Sequence, residues 1–119
     1  MLRGVQLRAR QADHAVFLAD SDEDPRLEAD LIQAMVKQVD GVVVCSSRME
    51  LAELRQVAGQ TALVLLNRRI QEVPAVLMDS SDGMRQVVEH LAALGHRRCA
   101  FLAGPRNSWS NRDGSSSPA

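Results

Sequence analysis

Few side chains in this sequence have both the type and the spacing to do chemistry. Asp79 and Asp82 stand just ahead of the apolar set Met84, Val87, Val88, Leu91 and Ala92. A carboxylate there can accept two hydroxyl hydrogens, or it can simply favour the positive end of a helix dipole. On residue type alone the dipole reading of Asp82 is preferred, and Asp79 reads as a turn residue. Arg68 follows an apolar run and carries a planar fork suited to a bidentate ligand contact; a solvated strand-end charge is as good a reading. Ser108, Trp109 and Ser110 set two hydroxyls around one flat apolar face. They can form a ligand-contacting loop or a serine-rich surface loop whose tryptophan packs back on the protein.

Other reactive types lack partners in the sequence. His90 has no nucleophile near it, and His96 sits in a basic corner with Arg97 and Arg98, so both histidines read as core or capping residues. The acidic run at 20–24 lacks the alternating ligands and closing glutamate of a calcium loop and reads as a solvated turn. Cys45 and Cys99 each fall in an apolar strand-like run, where a thiol behaves as a small buried hydrophobe. Neither has a His or Cys at metal-ligand spacing. There is no G-x-G-x-x-G, Walker sequence or nucleophile elbow, so an enzyme has no residues to stand on and no cofactor is expected.

The totals agree. A chain of 119 residues with 45% apolar content suits one domain with a modest core. Fourteen basic against fifteen acidic side chains leave a net charge of −1, so nucleic acid and anionic membranes find no electrostatic footprint here. No apolar stretch approaches a membrane span, and the first ten residues lack the apolar core of a secretion signal. The expected location is cytoplasmic.

The elements that must position these residues follow from periodicity. A ragged stripe of Leu2, Val5 and Leu7 predicts a helix over 2–11, and the continuous apolar run at 14–19 predicts a strand. Asp24 as cap and Pro25 at the first helical position open a helix whose buried face is Leu31, Ile32, Met35, Val36 and Val39. Asp40-Gly41 turns into Val42, Val43, Val44 and Cys45, a β-branched run that suits a strand buried on both faces. Ser46 or Ser47 then starts a helix with Leu51, Leu54 and Val57 inward, ending near Gly59. Further strands are predicted at 62–66, 76–78 and 99–103. Between the last two lies a helix capped by Ser80 or Ser81, stapled by Arg85 and Glu89, and stopped by Gly95. Strands alternating with helices give an α/β, doubly wound parallel sheet, and 76–105 is its βαβ unit.

Several of these stretches resemble the effector-binding domain of LacI-type transcriptional regulators. They are Asp40-Gly41-Val42-Val43, Leu65-Leu66-Asn67-Arg68, and Asp82-Gly83 followed by His90-Leu91-Ala92-Ala93-Leu94-Gly95-His96-Arg97-Arg98. Leu102-Ala103-Gly104-Pro105 completes the series, in matching order over roughly residues 1–112. The resemblance implies a periplasmic-binding-protein-like, Rossmann-like fold of two lobes holding a small effector, commonly a sugar, in the cleft between them. It implies that Asp82 accepts two sugar hydroxyls, that Ser108 and Ser110 contact effector with Trp109 against the sugar ring, and that Arg68 reaches effector or the partner lobe. It also implies a homodimer that meets DNA only through an N-terminal helix-turn-helix.

By that measure the chain is expected to be a fragment. Residues 1–112 would be a partial N-terminal lobe, with head, hinge and first strand upstream and the second lobe downstream. Residues 113–119 would be a disordered or truncated tail in place of an arginine-bearing helix. Such a piece is expected to be unstable or oligomeric. The alternatives are a periplasmic-type sugar-binding protein, a flavodoxin-like or phosphorelay domain, and a truncated product without function.

Overall fold

The computed structural model describes residues 1–106. Its elements run α1 (Leu2–Gln11), α2 (Pro25–Met35), β1 (Gly41–Cys45), α3 (Leu51–Gln60), β2 (Ala62–Leu66), β3 (Ala75–Val76) and α4 (Ser80–Ala93). The strands form one parallel sheet in the order β1-β2-β3. Val44 lies opposite Leu65, and Leu65 opposite Ala75. The α/β class and the parallel sheet are as predicted from the alternation of short apolar runs with amphipathic ones.

Local chemistry explains most boundaries. Asp24 Oδ1 accepts from the Arg26 amide at 2.8 Å with Pro25 next to it, so α2 begins where the sequence places it. Gly41 opens β1 because a Cβ there would lie 3.2 Å from the Ala62 carbonyl oxygen, in the neighbouring strand. Gly95, at φ +87°, supplies the left-handed residue after α4. The cap of α4 differs from expectation: it is Asp79, whose Oδ1 accepts from the Asp82 amide at 3.0 Å, because a carboxylate is the stronger acceptor of the available cap residues. α3 likewise begins at Leu51 and not at the serines, with Glu53 accepting from the Glu50 amide at 3.1 Å. That reciprocal pairing is the capping box, and it frees residues 46–50 to form a loop.

The core is one-sided. Ile32 of α2, Leu54 and Val57 of α3, Met49 of the intervening loop and Ile70 pack on Val44, Leu63 and Leu65. The opposite face carries Val43, 46% exposed, and Val76, 63% exposed. A sheet buried on both faces was expected from the unbroken Val-Val-Val-Cys run; one face is packed, whereas on the other Leu66 is buried while Val43 and Val76 stay exposed. Of the predicted stripe of α2, Ile32 alone is fully buried, with Leu31, Met35 and Val36 half-covered, and Glu28 is buried beside it.

Two predicted strands do not form. Residues 14–19 and 99–103 enter no ladder, with Phe17 70% and Leu102 95% exposed. A strand exists by its hydrogen-bonded neighbour, and neither run finds one among the described residues. The βαβ unit expected over 76–105 therefore has its helix but not its second strand. α4 makes its full 14 residues yet buries none of them. The Cα radius of gyration is 17.3 Å, against roughly 13.5 Å for a compact chain of this length.

Candidate functional site

In an open parallel sheet the carboxyl ends of the strands are where ligands are held, and here that rim is built with unusual care. β1 exits into Ser46 at φ +50° and β2 into Asn67 at φ +57°, both left-handed without being glycine. The ladder continues one step into each, through Ser46 N to Leu66 O at 2.8 Å and Asn67 N to Val76 O at 2.9 Å. The two chains thus turn outward together, and the loop at 46–50, the segment at 67–69 and the Asp79 cap of α4 follow three adjacent strand ends.

Buried charge fixes the first of these. Glu28, 6% exposed, reaches from α2 to accept from Ser47 Oγ and, through its other oxygen, from the Arg48 amide at 3.0 Å. Ser47 Oγ also accepts from the Met49 amide at 3.2 Å. From the other side Arg68 Nη1 donates to the carbonyls of Ser47, at 3.0 Å, and Met49. A carboxylate and a guanidinium of opposite charge therefore grip one loop, Glu28 through Ser47 and Arg48 and Arg68 through Ser47 and Met49, and three of the four bonds go to backbone groups that would otherwise be orphaned. Sequence reasoning missed Glu28 and Ser47 in this role. The legible signal was a glutamate four residues before Ile32, on the apolar side of α2.

The residues singled out from sequence fall differently. Arg68 is 8% exposed; it is not a solvated charge, because its guanidinium is drawn inward by the two carbonyls. Asp82 is exposed on the first turn of α4, accepting from Arg85 Nη2 at 2.7 Å and Gln86 Nε2 at 2.6 Å. The Arg85 hydrogen bond above all, then Gln86, holds its carboxyl below the usual aspartate range. Arg85 also pairs with Glu89 at 2.7 Å, the predicted i, i+4 contact. Ser108, Trp109 and Ser110 lie outside the described residues. His90 is exposed, not in a core, and His96 donates its amide to Leu91 O at 3.1 Å.

Both cysteines are exposed free thiols, contrary to the buried reading. Cys45 points to the uncovered sheet face, and Cys99 lies in the run that forms no strand. Partial burial still pushes the Cys45 thiol up, with the Met1 ammonium opposing weakly. Among the described residues no group of three or more His, Cys, Asp or Glu can hold a metal, and no helix is long and apolar enough to cross a membrane. An apolar groove of about 390 Å³ opens at the opposite, amino end of the strands, lined by Gly41, Thr61, Ala62, Val73 and Pro74. Its polar lining is Thr61 and Glu72, without the buried hydrogen-bond network of the rim.

Comparison with known proteins adds what geometry alone does not. Residues 1–115 match the family described as periplasmic binding proteins and sugar binding domain of LacI family. The chain is 27% identical over 115 residues to the HTH-type transcriptional regulator PtxS of Pseudomonas plecoglossicida, covering 94% of this chain and 34% of that protein. It is 26% identical over 109 residues to the repressor CytR of Escherichia coli strain K12, covering 88% and 32%. It is 29% identical over 125 residues to the lactose operon repressor of the same strain, covering 87% and 34%. The chain thus spans about a third of the length of the curated relatives it matches.

Among solved structures, the fold superposes with a TM-score of 0.86 on a periplasmic binding protein/LacI transcriptional regulator from Alkaliphilus metalliredigens QYMF complexed with D-xylulofuranose. The identity is 19%, over 98% of this chain and 43% of that one. Transcription regulator GntR from Chromobacterium violaceum gives a TM-score of 0.78 at 20% identity, over 95% and 44%.

Proposed function

The chain belongs to the family of periplasmic binding proteins and LacI-type sugar-binding domains, and we propose that it is the effector-sensing part of a cytoplasmic LacI-type transcriptional regulator. Residues 1–112 then make a partial first lobe, and the effector is a sugar or similar small metabolite. The observation that carries this is the rim: three adjacent parallel strand ends, one loop of which is clamped by Glu28 and Arg68. Rigid support of a rim loop serves a ligand held there, since a binding group must keep its geometry to give affinity.

Asp82 is the first ligand candidate, its exposed carboxylate free to exchange Arg85 and Gln86 for two sugar hydroxyls. Ser108 and Ser110 supply further hydroxyl contacts, Trp109 a stacking face, and Arg68, which holds the rim, stands where effector or the second lobe would meet it. DNA and dimerisation belong to the longer regulator, whose helix-turn-helix reads the operator. Effector shifts the balance between lobe arrangements by no more than its difference in affinity for them.

Trp109 is the single tryptophan, so the test is direct. Titration of the purified chain with a panel of neutral and acidic monosaccharides should give a saturable change in tryptophan emission for at least one sugar. That change should be lost in Asp82→Ala. No saturable change with any of them, and no ligand-induced shift in melting, would remove the sugar-effector reading.

A further inference from the structure

Among the described residues, one buried side-chain polar atom of the rim lacks a partner. Arg48 has a side chain only 8% exposed, and its Nη1 is buried without a hydrogen-bond partner among the described residues. Its Nη2 meets Glu23 Oε1 at 3.2 Å, a single long contact to a side chain that is 76% exposed. A guanidinium pairs best through two parallel N–H bonds to one carboxylate, and an N–H left unpaired in a desolvated position is costly. Arg48 is therefore half-used.

From this we infer that Arg48 is the acid-recognising residue of the effector site, with Glu23 as a weak internal stand-in for a carboxylate carried by the ligand. The inference rests on the effector-cleft reading above and narrows it to a sugar acid. Charge bookkeeping supports it. Glu28 spends its oxygens on the Ser47 hydroxyl and the Arg48 amide, so among the described residues the side chain of Arg48 has its ion pair with Glu23. When Glu23 swings out into solvent, one positive charge with a free fork remains at the end of β1. A ligand carboxylate can then take Nη1 and Nη2 together, satisfying the orphaned N–H that Glu23 leaves unmet. A neutral hydroxyl would fill Nη1 but leave the charge exposed by Glu23 unpaired.

The test uses the full chain and matched pairs that differ only at C6: D-glucuronate against D-glucose and D-galacturonate against D-galactose, with binding followed by calorimetry. Wild type should prefer one of the acids to its neutral partner. Glu23→Gln, at an exposed position, should tighten the acid about threefold or more and leave the neutral sugar unchanged. Arg48→Gln should weaken the acid by about tenfold or more, the loss of a charge-assisted pair, and Arg48→Lys should restore part of it. Neutral sugars bound as well as acids, with Glu23→Gln without effect, would overturn the role of Arg48 while leaving the effector site standing. No binding of either class would remove both.

Discussion

Arg68 Nη1 donates to the carbonyl oxygen of Ser47 at 3.0 Å, so the exit of β2 holds the exit of β1. The same atom also reaches the Met49 carbonyl. Replacing Arg68 with Met keeps the apolar stem but leaves both carbonyls without that donor. The expected cost is about 2 to 4 kcal/mol, for two lost hydrogen bonds from a charged donor and the carbonyls left behind. Arg68→Lys should recover part of it, since both bonds start from one nitrogen and an ammonium carries donors enough for two carbonyls, though on a differently shaped stem. Urea denaturation of the three proteins checks the order; an Arg68→Met midpoint equal to wild type would show the clamp to be idle.

Glu28 is the other jaw. In Glu28→Gln one oxygen still accepts from Ser47 Oγ, but an amide NH2 then faces the Arg48 N–H, donor against donor. In Glu28→Ala both contacts go and a cavity opens. Destabilisation of about 1 to 2 kcal/mol for Gln and 3 kcal/mol or more for Ala is expected. Hydrogen exchange should locate it: the amides of Arg48 and Met49 should lose protection more than those of β2. Equal loss throughout would assign Glu28 a role in global stability alone.

Asp82 yields a pH prediction. Its folded pKa lies below the ordinary aspartate value of about 3.9, chiefly through the Arg85 hydrogen bond. A depressed carboxyl stabilises the fold above its unfolded pKa, and that contribution is lost as pH falls through the folded one. The window therefore lies below about pH 4, and nothing from Asp82 should change between pH 5 and 8. A carboxyl carbon titration by NMR should place its midpoint low in wild type and closer to the ordinary value in Arg85→Ala. An unchanged midpoint in that variant would assign the shift elsewhere.

How much of this was legible in sequence depends on whether the signal was local. The start of α2 at Asp24 and Pro25, the end of α4 at Gly95, and the bounds of β2 follow from residues in contact along the chain, and all stand where the pattern puts them. The strands expected at 14–19 and 99–103 are different: apolar composition shows that a run can be buried, but a ladder partner is a second, distant segment that composition does not supply. The site divides the same way. Asp82 was visible as a helix-mouth carboxylate. Arg68 was visible as a strand-end arginine, yet its inward turn depends on the Ser47 and Met49 carbonyls, about twenty residues away in sequence. Glu28 and Arg48 were hidden among ordinary surface-type charges.

The thiols offer a chemical check on the sheet face. Partial burial raises the Cys45 pKa, and the thiolate is the reactive form. Cys45 should react with iodoacetamide at pH 8 more slowly than an unstructured peptide thiol, and should speed up as pH rises past the ordinary thiol range. Mass spectrometry of a partially alkylated sample reads the rate site by site. A rate equal to the peptide's would mean that the outer face near Cys45 is fully open to water.

That outer face also bears on the state of the chain in solution. Val43 opposes Val64, and Cys45, Leu66 and Val76 stand in one row across the sheet. Val43 and Val76 are largely exposed, and so are Phe17, Met78, Phe101 and Leu102. Apolar area on this scale is not left in water when a second surface can cover it, and among the described residues β1 and β3 are the edge strands of the sheet. Concentration-dependent association is therefore expected, with a broad melt from whatever monomer exists. Val43→Lys combined with Val76→Lys places charge on the face without touching the packed side of the sheet. Burial of a valine side chain is worth about 1.5 kcal/mol or more, so the double variant should raise the dissociation constant by at least about tenfold. Sedimentation velocity across a hundredfold range of concentration measures it; a wild-type monomer throughout, melting sharply and cooperatively, would show that the uncovered face is stable in water as it stands.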